Sequence, residues 1–150
     1  MNITNMVHIN INCSDYQRSK QFYEMLGFEV FWKVPETNTP EVAQAVGMSD
    51  YRVNGALMRL RGSDPAMVID LLEWQAPRDN AAPYPNLHRP GLARIALRSS
   101  DLMADYEFLL EQGVEVLSPP ATVMLDEVHG SRFFCFKDPD GTYLELVDSF

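Results

Sequence analysis

His8-Ile9-Asn10-Ile11-Asn12-Cys13-Ser14-Asp15 and Arg94-Ile95-Ala96-Leu97-Arg98-Ser99-Ser100-Asp101 carry one pattern twice. Each alternates polar or small residues with aliphatics, as a strand with one covered face does, and each ends in a Ser-Asp pair suited to capping a helix. The agreement continues outward. Tyr16, Ser19, Phe22, Tyr23 and Leu26 recur at helical spacing after the first copy, and Leu102, Tyr106, Leu109 and Leu110 do so after the second. Both stripes stop at a glycine, Gly27 and Gly113, where a left-handed residue is expected to end the helix. An offset of 86 positions, His8 onto Arg94, superimposes the two copies through this stretch without a gap.

A strand is predicted directly after each helix, over 28–34 and 114–117. Two more follow in the first copy, 51–61 and 66–74, joined by the turn residues Gly62-Ser63-Asp64-Pro65. In the second copy 131–137 and 142–148 are joined by Asp138-Pro139-Asp140-Gly141. Pro40 to Val46 reads as a helical turn within an inserted loop. The fold class is therefore α+β, one domain over 1–150 made of two βαβββ modules. The modules span 1–75 and 91–150, and the proline-rich 76–90 links them.

Composition narrows the function. With 150 residues, 46% of them apolar, the chain can bury one sizeable core. A net charge of −9 with no cluster among its 12 Lys and Arg disfavours nucleic acid, whose binding needs a basic face. No apolar run approaches the roughly 20 residues that span a bilayer, and Met1 to Asn5 lacks the layout of a signal peptide, so no membrane partner and a cytoplasmic location are expected. The two cysteines, Cys13 and Cys135, share no metal or redox spacing and read as small buried hydrophobes.

Strand parity then selects side chains. Val7, Ile9, Ile11 and Cys13 should pack on a helix, leaving His8, Asn10 and Asn12 on the other face. In the last strand Leu144 and Leu146 should pack inward, which turns Tyr143, Glu145 and Val147 outward. Glu145 is then a carboxylate inside an apolar strand, costly unless it is paired or ligated. Trp32, Trp74, Phe134 and Phe136 are candidates for an aromatic wall or for the core. Arg59, Arg61 and Arg98 are candidates for holding an anion or for plain solvation. His88 and His129, in loops, are candidates for proton transfer or for plain solvation, imidazole being the side chain whose charge changes most readily under physiological conditions.

In order, His8 in a first strand, "SDYQRSKQFYEMLGFEV", "RPGLARIALRSSDLMADYEFLLEQGVEVLSPP" and "FFCFKDPDGTYLELVD" resemble the vicinal oxygen chelate superfamily. That group includes glyoxalase I, bleomycin-resistance proteins and extradiol dioxygenases. The resemblance runs over nearly the whole chain and implies a glyoxalase-like fold, in which curved mixed sheets form an open cup. It also implies a small-molecule ligand, frequent homodimers, and often a divalent metal such as zinc, nickel, manganese or iron. Carried across by position, the ligand places are His8, Asp70, Arg94 and Glu145. Asp70 stands where glutamate is usual, and parity prefers it to Glu73. Arg94 stands where a second histidine is common.

Arginine cannot ligate a cation. At about 4 Å and an effective dielectric near about 20, it and a divalent ion would repel by about 8 kcal/mol before carboxylates offset it. Two arrangements are open: a metal on His8, Asp70 and Glu145 with water, or Arg94 in its place, paired with Glu145 or Asp70 or facing an anionic substrate. The resemblance implies a lyase or isomerase that moves a proton next to a carbonyl. Glu145 or Asp70 would transfer the proton, Arg94 or a metal would hold the enolate oxygen, and Asn10, Arg98, Trp74 and Phe134 would contact the substrate. The rivals are a metal-free binding protein of the bleomycin-resistance type and an extradiol-type dioxygenase, which would need a second histidine where Arg94 stands.

Overall fold

The computed structural model describes all 150 residues and divides into two compact units, Met1–Ala81 and Ala82–Phe150. The first contains β1 (Ile9–Asn12), α1 (Tyr16–Met25), β2 (Phe28–Lys33), α2 (Pro40–Val46), β3 (Arg52–Leu60) and β4 (Val68–Ala76). The second contains β5 (Ile95–Arg98), α3 (Leu102–Glu111), β6 (Ala121–Met124), β7 (Gly130–Lys137) and β8 (Tyr143–Ser149). Each unit has a four-stranded mixed sheet with the same winding, β1-β4-β3-β2 and β5-β8-β7-β6. In each the first strand lies parallel to the last, and the other neighbours are antiparallel.

The helix signals act as the sequence implies. Asp15 Oδ1 accepts from the Arg18 N–H at 3.0 Å, and Asp101 Oδ1 from the Ala104 N–H at 3.2 Å. Gly27 and Gly113 follow the helix ends at φ 96° and 73°, conformations that only glycine adopts freely. α2 begins at Pro40, with Thr39 as its cap.

Each sheet has one face packed by its own helix. In the first unit Tyr16, Ser19, Phe22 and Tyr23 of α1 are buried over Ile11, Met58, Ile69 and Leu71, with Tyr23 edge-on to Phe28 at 6.0 Å. In the second, Leu102 and Leu109 of α3 are buried with Ile95, Leu97, Phe134, Phe136, Leu144 and Leu146. Burying each large side chain contributes about 1.5–3 kcal/mol, so these two clusters fix which face of each sheet is left over.

Three expectations are corrected. Val7 does not pack on the helix: β1 starts at Ile9, and Val7 is 75% exposed. Leu110 is exposed, because the stripe that α3 buries runs through Leu102 and Leu109. The edge strand of the second sheet is β6 rather than 114–117. That earlier segment touches β7 through an isolated Val116–Phe136 bridge, with the Leu117 N–H donating to the Cys135 carbonyl and the Lys137 N–H to the Glu115 carbonyl. Pro119 and Pro120 then break the ladder, since proline has no N–H to donate. No helix is long and apolar enough to cross a membrane.

Candidate active site

On the face of the first sheet turned away from α1, the register places Asn10, Asp70, Leu57 and Trp32 in one row across all four strands. The next row joins Asn12, Leu72 and Gly55. Asn10 Nδ2 donates to the Asp70 carbonyl oxygen at 2.9 Å, and the Trp74 Nε1–H donates to Asn12 Oδ1 at 2.8 Å. Tyr51 leans on the Trp74 ring at 5.1 Å.

Asp70 is the chemically loaded member. Its residue is half-buried, and Oδ1 is shut away from solvent with no hydrogen-bond partner. Burial pushes its carboxyl above the ordinary value of 3.8, while His8, just before β1, pulls it down by charge. Glu73 lies on the opposite face. Its Oε2 accepts from the Tyr16 N–H at the start of α1 at 3.1 Å, and Arg78 lies 3.8 Å from its Oε1.

The second unit repeats the layout with different chemistry. Asn10 lies opposite Asp70 across the β1–β4 pair, and Ala96 lies opposite Glu145 across the β5–β8 pair. Asp70 and Glu145 therefore occupy one register position, and His8 and Arg94 each stand just before the first strand of their sheets. Arg94 Nε donates to Glu145 Oε2 at 2.6 Å. Glu145 is 8% exposed, so the guanidinium compensates a nearly buried charge. The Cys135 thiol points at the same oxygen from 3.9 Å, and its pKa is pushed up by burial and by the carboxylate.

The remaining candidates scatter. Phe134 and Phe136 belong to the core, with Phe134 edge-on to Tyr106 of α3 at 5.3 Å, so neither walls the face that carries Glu145. Arg98 is exposed at the end of β5, and Arg59 is held by Glu29 at 2.7 Å. His88 is exposed, and His129 pairs with Asp126 at 2.8 Å in the β6–β7 connection. Sequence reasoning missed Tyr51 and Asn12 as partners of Trp74 and Cys135 as a neighbour of Glu145. The Cys135 signal was available from parity, whereas the register shift between Arg52 and Val53 hid the place of Tyr51.

A divalent metal would need more donors than either unit brings together. His8 and Asp70 are two, Glu145 is engaged by an arginine that cannot ligate, and neither unit gathers three His, Cys, Asp or Glu side chains able to hold an ion. The residues within each unit do not fit a complete metal shell.

The sequence profile of the Glyoxalase/Bleomycin resistance protein/Dioxygenase superfamily matches residues 5–146. The chain belongs to this superfamily. Its members bind small-molecule substrates, often form dimers and often use divalent metals. Among relatives, YwkD of Bacillus subtilis (strain 168) is 32% identical over 145 residues, covering 94% of each chain. A 2-epi-5-epi-valiolone epimerase from an Actinomyces species is 26% identical over 143 residues, covering 94% of this chain and 77% of the epimerase. The crystal structure of a glyoxalase family protein from Bacillus cereus superimposes with a TM-score of 0.82 over 100% of this chain and 97% of its own, at 17% identity. That likeness establishes the glyoxalase fold.

Proposed function

We propose that this superfamily member is a small-molecule enzyme of the lyase or isomerase type that moves a proton at a carbon next to a carbonyl, with Asp70 as the proton-moving group. One observation carries the reading: Asp70 is a half-buried carboxyl with an unpartnered, solvent-shielded oxygen, set beside His8 on the face that no helix covers. A carboxyl raised by burial holds and releases a proton nearer neutrality than an exposed one does. On the same face Asn12 keeps its amide N–H donors free for an oxygen that gains charge as the proton leaves. The likeness to an epimerase fits, because inverting a carbon centre beside a carbonyl requires removing and returning a proton.

Arg94 and Glu145 form the second unit's counterpart. The Nε–H is spent on Glu145, while the terminal nitrogens, on a side chain 42% exposed, remain donors for a ligand oxygen at the second unit's own face. The same closed pair favours a second reading, a binding protein that uses no metal, because it supplies the positive charge that a metal would bring.

The test is solvent hydrogen exchange. Purified protein is incubated in D2O with small α-hydroxyketones, acyclic and cyclic, and loss of the C–H signal is followed by NMR alongside elemental analysis of the protein. Exchange above buffer is expected, falling about 10²–10⁴-fold in Asp70→Asn. Absence of exchange with every ketone, or full activity in Asp70→Asn, contradicts the proposal. Tight ligand binding without exchange selects the binding protein.

A further inference from the structure

Next to Asp70 the first sheet carries recognition groups that proton transfer alone does not require. Trp74 lies four residues along β4 from Asp70, about 13 Å of strand, on the same side. Its indole N–H is tied to Asn12 at 2.8 Å, and Tyr51 supports the ring at 5.1 Å with the planes tilted by 52°, so the indole is held as a fixed apolar shelf. Between Trp74 and Asp70 only Leu72 intervenes. Its strand partner is Gly55, which leaves the floor low. A Cβ on Gly55 would strike the Leu71 carbonyl oxygen and stand 2.7 Å from Leu72 Cδ2, so the Leu72 side chain lies over the glycine.

The β1 side of this face is polar. Asn10 spends its amide nitrogen on β4 and keeps Oδ1 as an acceptor, while Asn12 spends Oδ1 on Trp74 and keeps Nδ2 as a donor. Both residues are exposed. With the Asp70 carboxyl on β4, the face offers an indole, an aliphatic floor and three hydrogen-bonding groups, two of them on β1 and one on β4.

We infer that this face binds a ring-shaped, multiply hydroxylated neutral molecule, its flatter carbon face against Trp74 and its hydroxyls along Asn10, Asn12 and Asp70. The inference rests on the proposed function only in taking this face as the substrate face. A ring with one apolar face and a hydroxylated rim matches both surfaces at once. An open chain gives the indole no flat face, and an unhydroxylated ring leaves the polar groups unmet. Hydrogen-bonding sites reject analogues that lack the matching group more sharply than apolar pockets do.

The chain has two tryptophans, and Trp32 shares the Asp70 row, so the parent protein is titrated by calorimetry beside Trp32→Phe, which leaves Trp74 as its one indole emitter. Both are titrated with the cyclic polyols myo-inositol, scyllo-inositol and glucose, with mannitol as open-chain control and cyclohexanol as bare-ring control. At least one cyclic polyol is expected to change Trp74 emission saturably, with a dissociation constant at least tenfold below both controls. Asn12→Ala should raise that constant about tenfold while far-UV circular dichroism stays unchanged. Silence toward all three cyclic polyols, equal response to mannitol or cyclohexanol, or unchanged affinity in Asn12→Ala overturns the inference. Exchange on an acyclic ketone combined with silence toward cyclic polyols removes the ring ligand and leaves Asp70 chemistry standing. Cyclic-polyol binding without exchange on any ketone supports the ring ligand and removes the reaction.

Discussion

The two units set the same register position in opposite electrostatic states. In the first, Asp70 has a shielded oxygen without a donor and only a histidine nearby. In the second, Glu145 is gripped by Arg94 at 2.6 Å. Backbone geometry does not distinguish them, since both acids lie on the last strand, opposite the second residue of the first strand. The difference comes from what precedes that first strand. An imidazole can take or give a proton, whereas a guanidinium stays charged and fixes its partner as a carboxylate. One fold thus presents one group suited to proton traffic and one suited to holding charge.

The largest expected effect separates core from site within the second unit. Phe134→Ala should cost about 3–5 kcal/mol in urea unfolding, because the ring is 1% exposed and its removal leaves a cavity under α3. A cost under about 1 kcal/mol would return Phe134 to the ligand face. Next, Arg94→Met strands the Glu145 charge. With the guanidinium partly solvated, a loss of about 2 kcal/mol is expected, between the values for exposed and buried pairs, and His8→Ala should cost less than half as much. Equal losses would erase the contrast between the units.

The smallest effect is pH-dependent. Burial raises the Asp70 carboxyl above 3.8, so the folded state binds the extra proton and the stability tied to it falls as pH climbs from about 4 through the raised value. Asp70→Asn, which resembles the protonated acid, should therefore melt close to the parent at pH 4 and above it at pH 7. A gap that is widest at pH 4 would mean that the native state favours the carboxylate.

Much of this was legible in the sequence because it depends on local pattern. The 86-residue offset, the Asp15 and Asp101 caps and the stops at Gly27 and Gly113 are set by hydrophobic period and turn chemistry; parity put Glu145 on the uncovered face, and for Asp70 parity chose between two acids at a position that the family resemblance supplied. Features that depend on pairing between distant segments were not readable. Pro119 and Pro120 displaced the edge strand to β6, and a register shift brought Tyr51 onto Trp74. The partner of Arg94 was open between two acids until the β5–β8 register placed Glu145 beside it. Phe134 shows the limit of composition: an aromatic in a strand serves a wall or a core equally well until its face is known.

Carbon-detected NMR of the Asp70 side-chain carboxyl across a pH titration reads directly whether burial holds its proton. Asp70 should titrate above the ordinary aspartate range in the parent protein and higher still in His8→Ala, where burial acts without the opposing charge. A midpoint at or below 3.8 in the parent, or a downward move in His8→Ala, would contradict the raised carboxyl on which the proton-moving role of Asp70 rests.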